Sequence, residues 1–268
     1  MAHPSLTVGD IARFLAELAP PGLSEPWDNT GLLVGDENSP ARNVLTCLTL
    51  TEDVAEEAAH AGVGLVVSHH PLLFKAVKRI TAESSEGRTL LTLLKAGIAV
   101  YSPHTAFDSA AQGINRRLAS KFGLSDIRPL RPTGDESPAG GGRFGRLPEA
   151  VPLSEFLQVV RRSLGVDALG YVGQLDRSVR MVAVACGAAA EFLDDALHHD
   201  CDVLVTGEAR FHACLDARAK GVAMILAGHY ATERPAVEEL AQLIAATFPG
   251  LVAAASRVES DPLKWSTP

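Results

Sequence analysis

The sequence predicts an α/β fold of parallel β-α-β units, and three observations carry that expectation. Short apolar runs alternate with segments of helical spacing along most of the 268 residues. The run at 63–67 is apolar throughout, as a strand buried on both faces must be. Gly62, Gly97 and Gly123 each follow a helical segment, where glycine supplies a C-terminal stop.

Taken in order, residues 11–18 have apolar side chains at helical spacing, and Pro20-Pro21 ends them. Residues 43–50 read as a strand, 52–61 as a helix, and 63–67 as the next strand. A helix over 89–96, a strand over 98–102 and a helix over 112–122 follow. Residues 128–142 hold three prolines and four glycines, which marks a crossing between an N-terminal α/β half (1–127) and a C-terminal one (143–268). The second half repeats the alternation. Helices are expected over 153–164, 188–198, 210–220 and 233–246, and strands over 179–185, 203–206 and 223–227.

Composition narrows the function classes. With 47% hydrophobic and 21% charged residues, the chain can bury a large core and lacks the polarity of a disordered protein. A net charge of −8 argues against a nucleic-acid binder working through a broad basic face, though a metal site could still attract a small phosphate-bearing molecule. No 18-residue apolar run and no basic-then-apolar leader are present, so a cytoplasmic protein without membrane spans is expected. Cys47, Cys186, Cys201 and Cys214 are scattered and form no C-x-x-C pair; they read as small buried residues.

The chemistry concentrates at strand ends, where open α/β sheets gather their ligands. Ser68-His69-His70-Pro71 follows the apolar run at 63–67. Adjacent side chains on a strand point to opposite faces, and Pro71 stops ladder pairing, so the two imidazoles can splay towards neighbouring positions. His104 and Asp108 are four residues apart after the next strand, as are His229 and Glu233 further on. Such pairs can share one side of a first helical turn. Each set has a structural alternative, but three sets at three strand ends point to a two-metal centre. The imidazole and carboxylate mix suits Zn, Mn, Fe or Ni. Two divalent cations bring more charge than Asp108 and Glu233 neutralise, a remainder that a bridging hydroxide or an anionic substrate would lower; Glu233 is the carboxylate expected to span both ions. Glu208, after Thr206-Gly207, and His212 could line the same cleft or serve as helix-start charge and surface histidine. His198-His199 reads as a surface pair at a helix C-terminus, while His3 and His60 lack a ligand-like context. Trp27-Asp28-Asn29-Thr30-Gly31 is a polar turn that shapes a pocket wall or is simply structural.

At these residues the chain resembles the NIF-three-like family, also known as GTP cyclohydrolase 1 type 2 homologues. The resemblance runs through Trp27-Asp28-Asn29-Thr30-Gly31-Leu32, Ser68-His69-His70-Pro71, Tyr101-Ser102-Pro103-His104-Thr105 with Asp108, Gly142-Arg143-Phe144-Gly145, Val205-Thr206-Gly207-Glu208 and Gly228-His229-Tyr230-Ala231-Thr232-Glu233-Arg234. It implies two similar α/β lobes facing each other around a dinuclear metal site, and assembly as a homohexamer. It also implies that His69 and His70 bind one divalent ion each, that Asp108 and His229 complete the site, and that Glu233 bridges two ions per chain. His104 would then transfer protons, and a hydrolase of a small nucleotide-like substrate would result; a non-catalytic metal-binding or adaptor protein is the other class. Two departures stand out: Phe211 replaces the first of two histidines usual after Thr-Gly-Glu, and Thr49 stands where an aspartate is common. The additional domain that longer members insert between the lobes is replaced by 128–142.

Overall fold

The computed structural model describes residues 6–135 and 137–264. Helix α1 (Val8–Leu18) opens with a capping box: the Thr7 hydroxyl accepts from the Asp10 amide, and the Asp10 carboxylate accepts from the Thr7 amide at 2.8 Å. Next come β1 (Gly31–Val34), β2 (Val44–Cys47), α2 (Glu52–His60), β3 (Leu65–Ser68), α3 (Ser85–Ala96), β4 (Ala99–Ser102) and α4 (His104–Ser109). The chain continues through α5 (Ile114–Lys121), β5 (Ser125–Arg128), β6 (Arg131–Pro132), β7 (Gly140–Gly141), β8 (Arg143–Pro152), α6 (Leu153–Leu164), β9 (Gly170–Val172) and β10 (Ser178–Val184). It ends with α7 (Leu193–His198), β11 (Val203–Thr206), α8 (Phe211–Lys220), β12 (Ala223–Leu226), α9 (His229–Thr247) and β13 (Ala253–Ala255).

Two units emerge. One comprises the residues up to Phe107 with Arg234–Ser260; the other comprises Asp108–Glu233 with the residues from Asp261. This division differs from the linear one at 128–142, because β13 pairs in parallel with β2 and so returns the chain's last strand to the first sheet. Within the stretch 128–142, β6 and β7 pair antiparallel, Arg131 opposite Gly141 and Pro132 opposite Gly140.

The first sheet runs β1-β4-β3-β2-β13. Its four strands from β4 to β13 are mutually parallel, as the β-α-β reading requires, and β2, β3 and β4 are buried along their whole lengths. Leu45, Val66, Leu93 and Val100 pack with Val54 and Ala58 of α2 in one apolar cluster. Edge strand β1 departs from the parallel expectation: it runs antiparallel to β4, with Gly31 opposite Ser102. The second sheet runs β5-β8-β10-β11-β12-β9. Here β10, β11 and β12 are parallel, while β5, β8 and β9 add antiparallel pairings. These strands and β13 escape a pattern reading because they are short, or in β8 interrupted by Gly145 and Pro148, and only partly buried. The helix expected over 188–198 is a 3₁₀ turn (Ala190–Phe192) followed by α7, and α9 starts at His229, before the expected 233.

Candidate metal-binding site

In the first unit, β3 and β4 are parallel neighbours with Val67 opposite Tyr101. The chain therefore leaves both strands at the same end, and the residues just beyond them must meet. Beyond β3 the ladder persists for two more bonds: the His69 amide donates to Cys47 O at 2.9 Å and the His70 amide to Leu48 O at 2.8 Å. The Ser102 hydroxyl donates to the His69 carbonyl at 2.7 Å, tying the two strand ends together. His69 is buried and His70 half-buried. Their ring centroids are 5.2 Å apart, and the His104 ring lies 5.3 Å from His69 and 5.7 Å from His70. Each of the three rings offers a nitrogen within 4.8 Å of the others, a group that could hold a metal ion.

His104 is the first residue of α4 and has φ of +26°, in the left-handed region that non-glycine residues seldom occupy. Its Nδ1 is 2.7 Å from Asp28 Oδ1. The other Asp28 oxygen accepts from the Thr105 amide at 3.1 Å and from the Thr105 hydroxyl. Burial alone would raise the Asp28 carboxyl, but the His104 and Thr105 hydrogen bonds outweigh it and hold it at about 2. A carboxylate facing Nδ1 makes that nitrogen the donor, so neutral His104 presents a basic Nε2. Antiparallel pairing of β1 with β4 makes this contact: Gly31 faces Ser102, which sets Asp28 beside His104. Asp28 was legible only as part of a polar turn; nothing in the sequence tells a reader that β1 pairs with β4. Thr49 contacts His70, its hydroxyl 2.8 Å from Nδ1, which leaves Nε2 as that ring's second nitrogen.

In the second unit the parallel strands β10, β11 and β12 likewise end together. His229 begins α9, and Glu233 follows one turn later with Oε2 3.0 Å from His229 Nε2. His229 Nδ1 is 3.0 Å from Glu208 Oε1. The Glu233 hydrogen bond raises the His229 imidazole to about 9 against the opposing pull of burial, and Glu208 adds to the rise. Glu233 is buried, and Glu208 is exposed. Asp108 lies in this unit, with its Oδ1 accepting from the Cys186 thiol at 3.3 Å. Burial, followed by the charges of Asp108 and Glu233, pushes the Cys186 thiol well up and keeps it a neutral donor. The backbone here admits no side chain. A Cβ on Gly187, whose φ is +64°, would fall 2.3 Å from Glu233 Oε1, and one on Gly207 would fall 2.8 Å from His229 Cα. Nothing in the sequence marks Cys186 or Gly187 as a site residue, whereas Asp28 is visible there only within a turn of a possible pocket wall.

The other histidines occupy ordinary positions. His212 is exposed at the start of α8, its ring edge-on to Phe211, which is 72% exposed. His199 Nε2 meets Leu130 O at 3.0 Å and its ring stacks on Phe144, whereas His198 is exposed. His60 bonds to Glu56 O at the end of α2, and His3 lies outside the described residues. All four cysteines are free, three of them buried.

Fold and site together define an α/β protein whose parallel strands end in imidazoles that could hold a metal ion. The sequence model of the Duf34/NIF3 family (NGG1p interacting factor 3) matches residues 6–262, and the chain belongs to that family. It is 31% identical over 239 residues to a "GTP cyclohydrolase 1 type 2 homolog" of Clostridium perfringens, covering 89% of this chain and 91% of the relative. It is 36% identical over 250 residues to the "Protein NIF3 homolog" of Schizosaccharomyces pombe, with 89% of each chain covered. Among solved structures, a Staphylococcus aureus protein superposes with a TM-score of 0.89 at 25% identity, covering 98% of this chain and all of the other. A Bacillus cereus protein related to NIF3 shares the fold with the same TM-score at 24% identity, covering 99% of this chain and all of that one.

Proposed function

We propose that the protein is a metal-dependent hydrolase of a small nucleotide-like substrate, with two divalent ions per chain held by His69, His70, Asp108, His229 and Glu233. In this reading His69 and His70 would serve one ion each, and Glu233 would serve both. The single observation that carries it is the pair of imidazoles His69 and His70 at the end of β3, ring centroids 5.2 Å apart, with His104 beside them at the end of β4. The donor chemistry fits: borderline nitrogen donors in one unit, and a histidine facing a buried carboxylate in the other. Relatives called GTP cyclohydrolase 1 type 2 homolog support the hydrolytic direction. A bound divalent ion supplies Lewis acidity and a water acidified to about neutral pH.

The chain's own residues do the rest. Asp28 holds the Nδ1 proton of His104, so Nε2 can take a proton from water or deliver one to a leaving group. Thr49 orients His70, and Glu208 orients His229 through their Nδ1 atoms. The Cys186 thiol steadies Asp108. Glu208 and His212 are the residues we assign to the substrate side of the centre.

The test is a screen of the purified, metal-loaded protein against nucleotides and phosphoesters, beside a Glu233→Gln control. Turnover with the native chain and its loss in the control are expected. His104→Ala should keep both metals and lose about 10²–10⁴-fold in rate, the usual share of a general acid–base group. Full activity of that variant at saturating metal would overturn the proton-transfer role.

A second reading, a non-catalytic metal-binding adaptor, is favoured by the family's description as an interacting factor. Absence of turnover across the panel with both metals bound would select it. Among the described residues no helix is long and apolar enough to cross a membrane, and we propose a cytoplasmic homohexamer. Light scattering should return a mass several times the 28.2 kDa chain; a monomer at micromolar concentration would contradict it.

A further inference from the structure

Glu208 and His212 lie in the second unit; the first unit offers a substrate-binding surface of its own. A recess of about 680 Å³ lies beside the histidine group, with Trp27, Asp28, Asn29, Phe74 and Lys75 in its lining. That is the size range of small-molecule sites. Trp27 and Phe74 meet edge to face, their centroids 5.9 Å apart, yet they remain 59% and 47% exposed. The same two rings lie edge-on to His104, at 6.1 and 6.4 Å. A flat ligand stacked on either ring, with the other ring meeting its edge, lies close to His104.

Charge complements shape. Residues 71–82 carry Lys75, Lys78 and Arg79 and no carboxylate, in a chain whose net charge is −8. Lys75 of this segment lines the recess beside two exposed aromatic rings, a setting that matches a ring carrying negative charge. Aliphatic neighbours Leu73, Val77 and Ile80 contribute apolar wall without hydrogen-bonding groups that would select one base edge over another.

We infer that this recess is the subsite for a planar heteroaromatic ring bearing an anionic group, as in a nucleoside phosphate. Trp27 and Phe74 hold the ring, and Lys75 meets the anion. The inference rests on the hydrolase reading only in placing the ligand's reacting edge at His104.

Trp27 and Trp265 are the chain's two tryptophans, so a Trp265→Phe background leaves Trp27 as the sole reporter. Its fluorescence is titrated with guanosine monophosphate, guanosine and ribose 5-phosphate. Saturable quenching by the nucleotide and none by ribose 5-phosphate is expected. Phe74→Ala, and Phe74→Leu which keeps apolar bulk, should each weaken the nucleotide about tenfold, or ~1.4 kcal/mol, within the range of base–aromatic stacking. Lys75→Ala should weaken guanosine monophosphate and leave guanosine unchanged. Absence of saturable quenching, equal quenching by ribose 5-phosphate, or unchanged affinity in both Phe74 variants would overturn the subsite. So would a drop in assembly mass in those variants without nucleotide quenching, which would make the recess a contact between copies of the chain. Turnover reports separately: tenfold-sensitive binding with no hydrolysis keeps the subsite and overturns the hydrolase reading.

Discussion

Elemental analysis of a His69→Ala/His70→Ala double variant after extensive dialysis is expected to show loss of bound divalent metal, against close to two ions per chain in the native protein. His69 is buried at the end of β3, with its carbonyl anchored by Ser102, and His70 is held through Nδ1 by Thr49. Imidazoles positioned in this way are largely pre-organised, so a cation need not order them. Even loss of a group that only orients a ligand typically weakens metal binding by about 10–100-fold. Loss of two direct ligands should exceed that. Because His69 is buried, its truncation also leaves a cavity, so the single variant His70→Gln is the companion measurement: half-buried and less disruptive, it should still lower occupancy. Ligating imidazoles must be deprotonated, so metal should also dissociate as pH falls. Equal metal content in native and variant proteins would sink the proposal.

Replacing Arg143 with methionine is expected to lower stability by roughly 2–4 kcal/mol in denaturant unfolding, a large share of what a domain possesses. Arg143 opens β8 and is 1% exposed. One guanidinium nitrogen donates to the carbonyls of Gly140 at 2.5 Å and Gly142 at 2.6 Å. The other donates to Ser109 at 3.1 Å, Ala110 at 2.6 Å and Pro138 at 3.3 Å. Burial lowers its pKa to about 10, which still leaves the group charged at neutral pH. The side chain thus ties the 138–142 segment to the end of α4. Methionine matches its apolar length but donates nothing, so the buried carbonyls lose those donors. Lysine should rescue little, since a compact ammonium lacks the planar fork that reaches both sets of acceptors. A loss below about 1 kcal/mol would show that water or relaxation replaces the guanidinium.

The site is most legible in the sequence where chemistry and chain direction coincide. His69-His70 and His104 each follow an apolar strand, and parallel neighbours deliver such residues to one edge. Cys186 and Asp28 were opaque for opposite reasons. Cys186 looked like any small buried residue, and only its 3.3 Å approach to Asp108 distinguishes it. Asp28 precedes a strand too short and too partly buried to show a period, and its partner lies 76 residues away. The resemblance to a known family, by contrast, rested on motifs spread over the chain, and the family model spans 6–262 accordingly.

What the sequence determined by itself was the set of buried parallel strands, the helices between them and the histidines and carboxylates at their ends. These follow from local rules: apolar runs, helical spacing and glycine stops act within a few residues. Tertiary structure alone decided that β1 pairs antiparallel with β4, that β13 returns to β2, and that the second sheet takes antiparallel edges. Pairing partners are chosen by packing and hydrogen bonding between distant segments, for which a short edge strand carries almost no local signal. The Asp28–His104 contact is a product of that choice, and with it the assignment of which His104 nitrogen is basic.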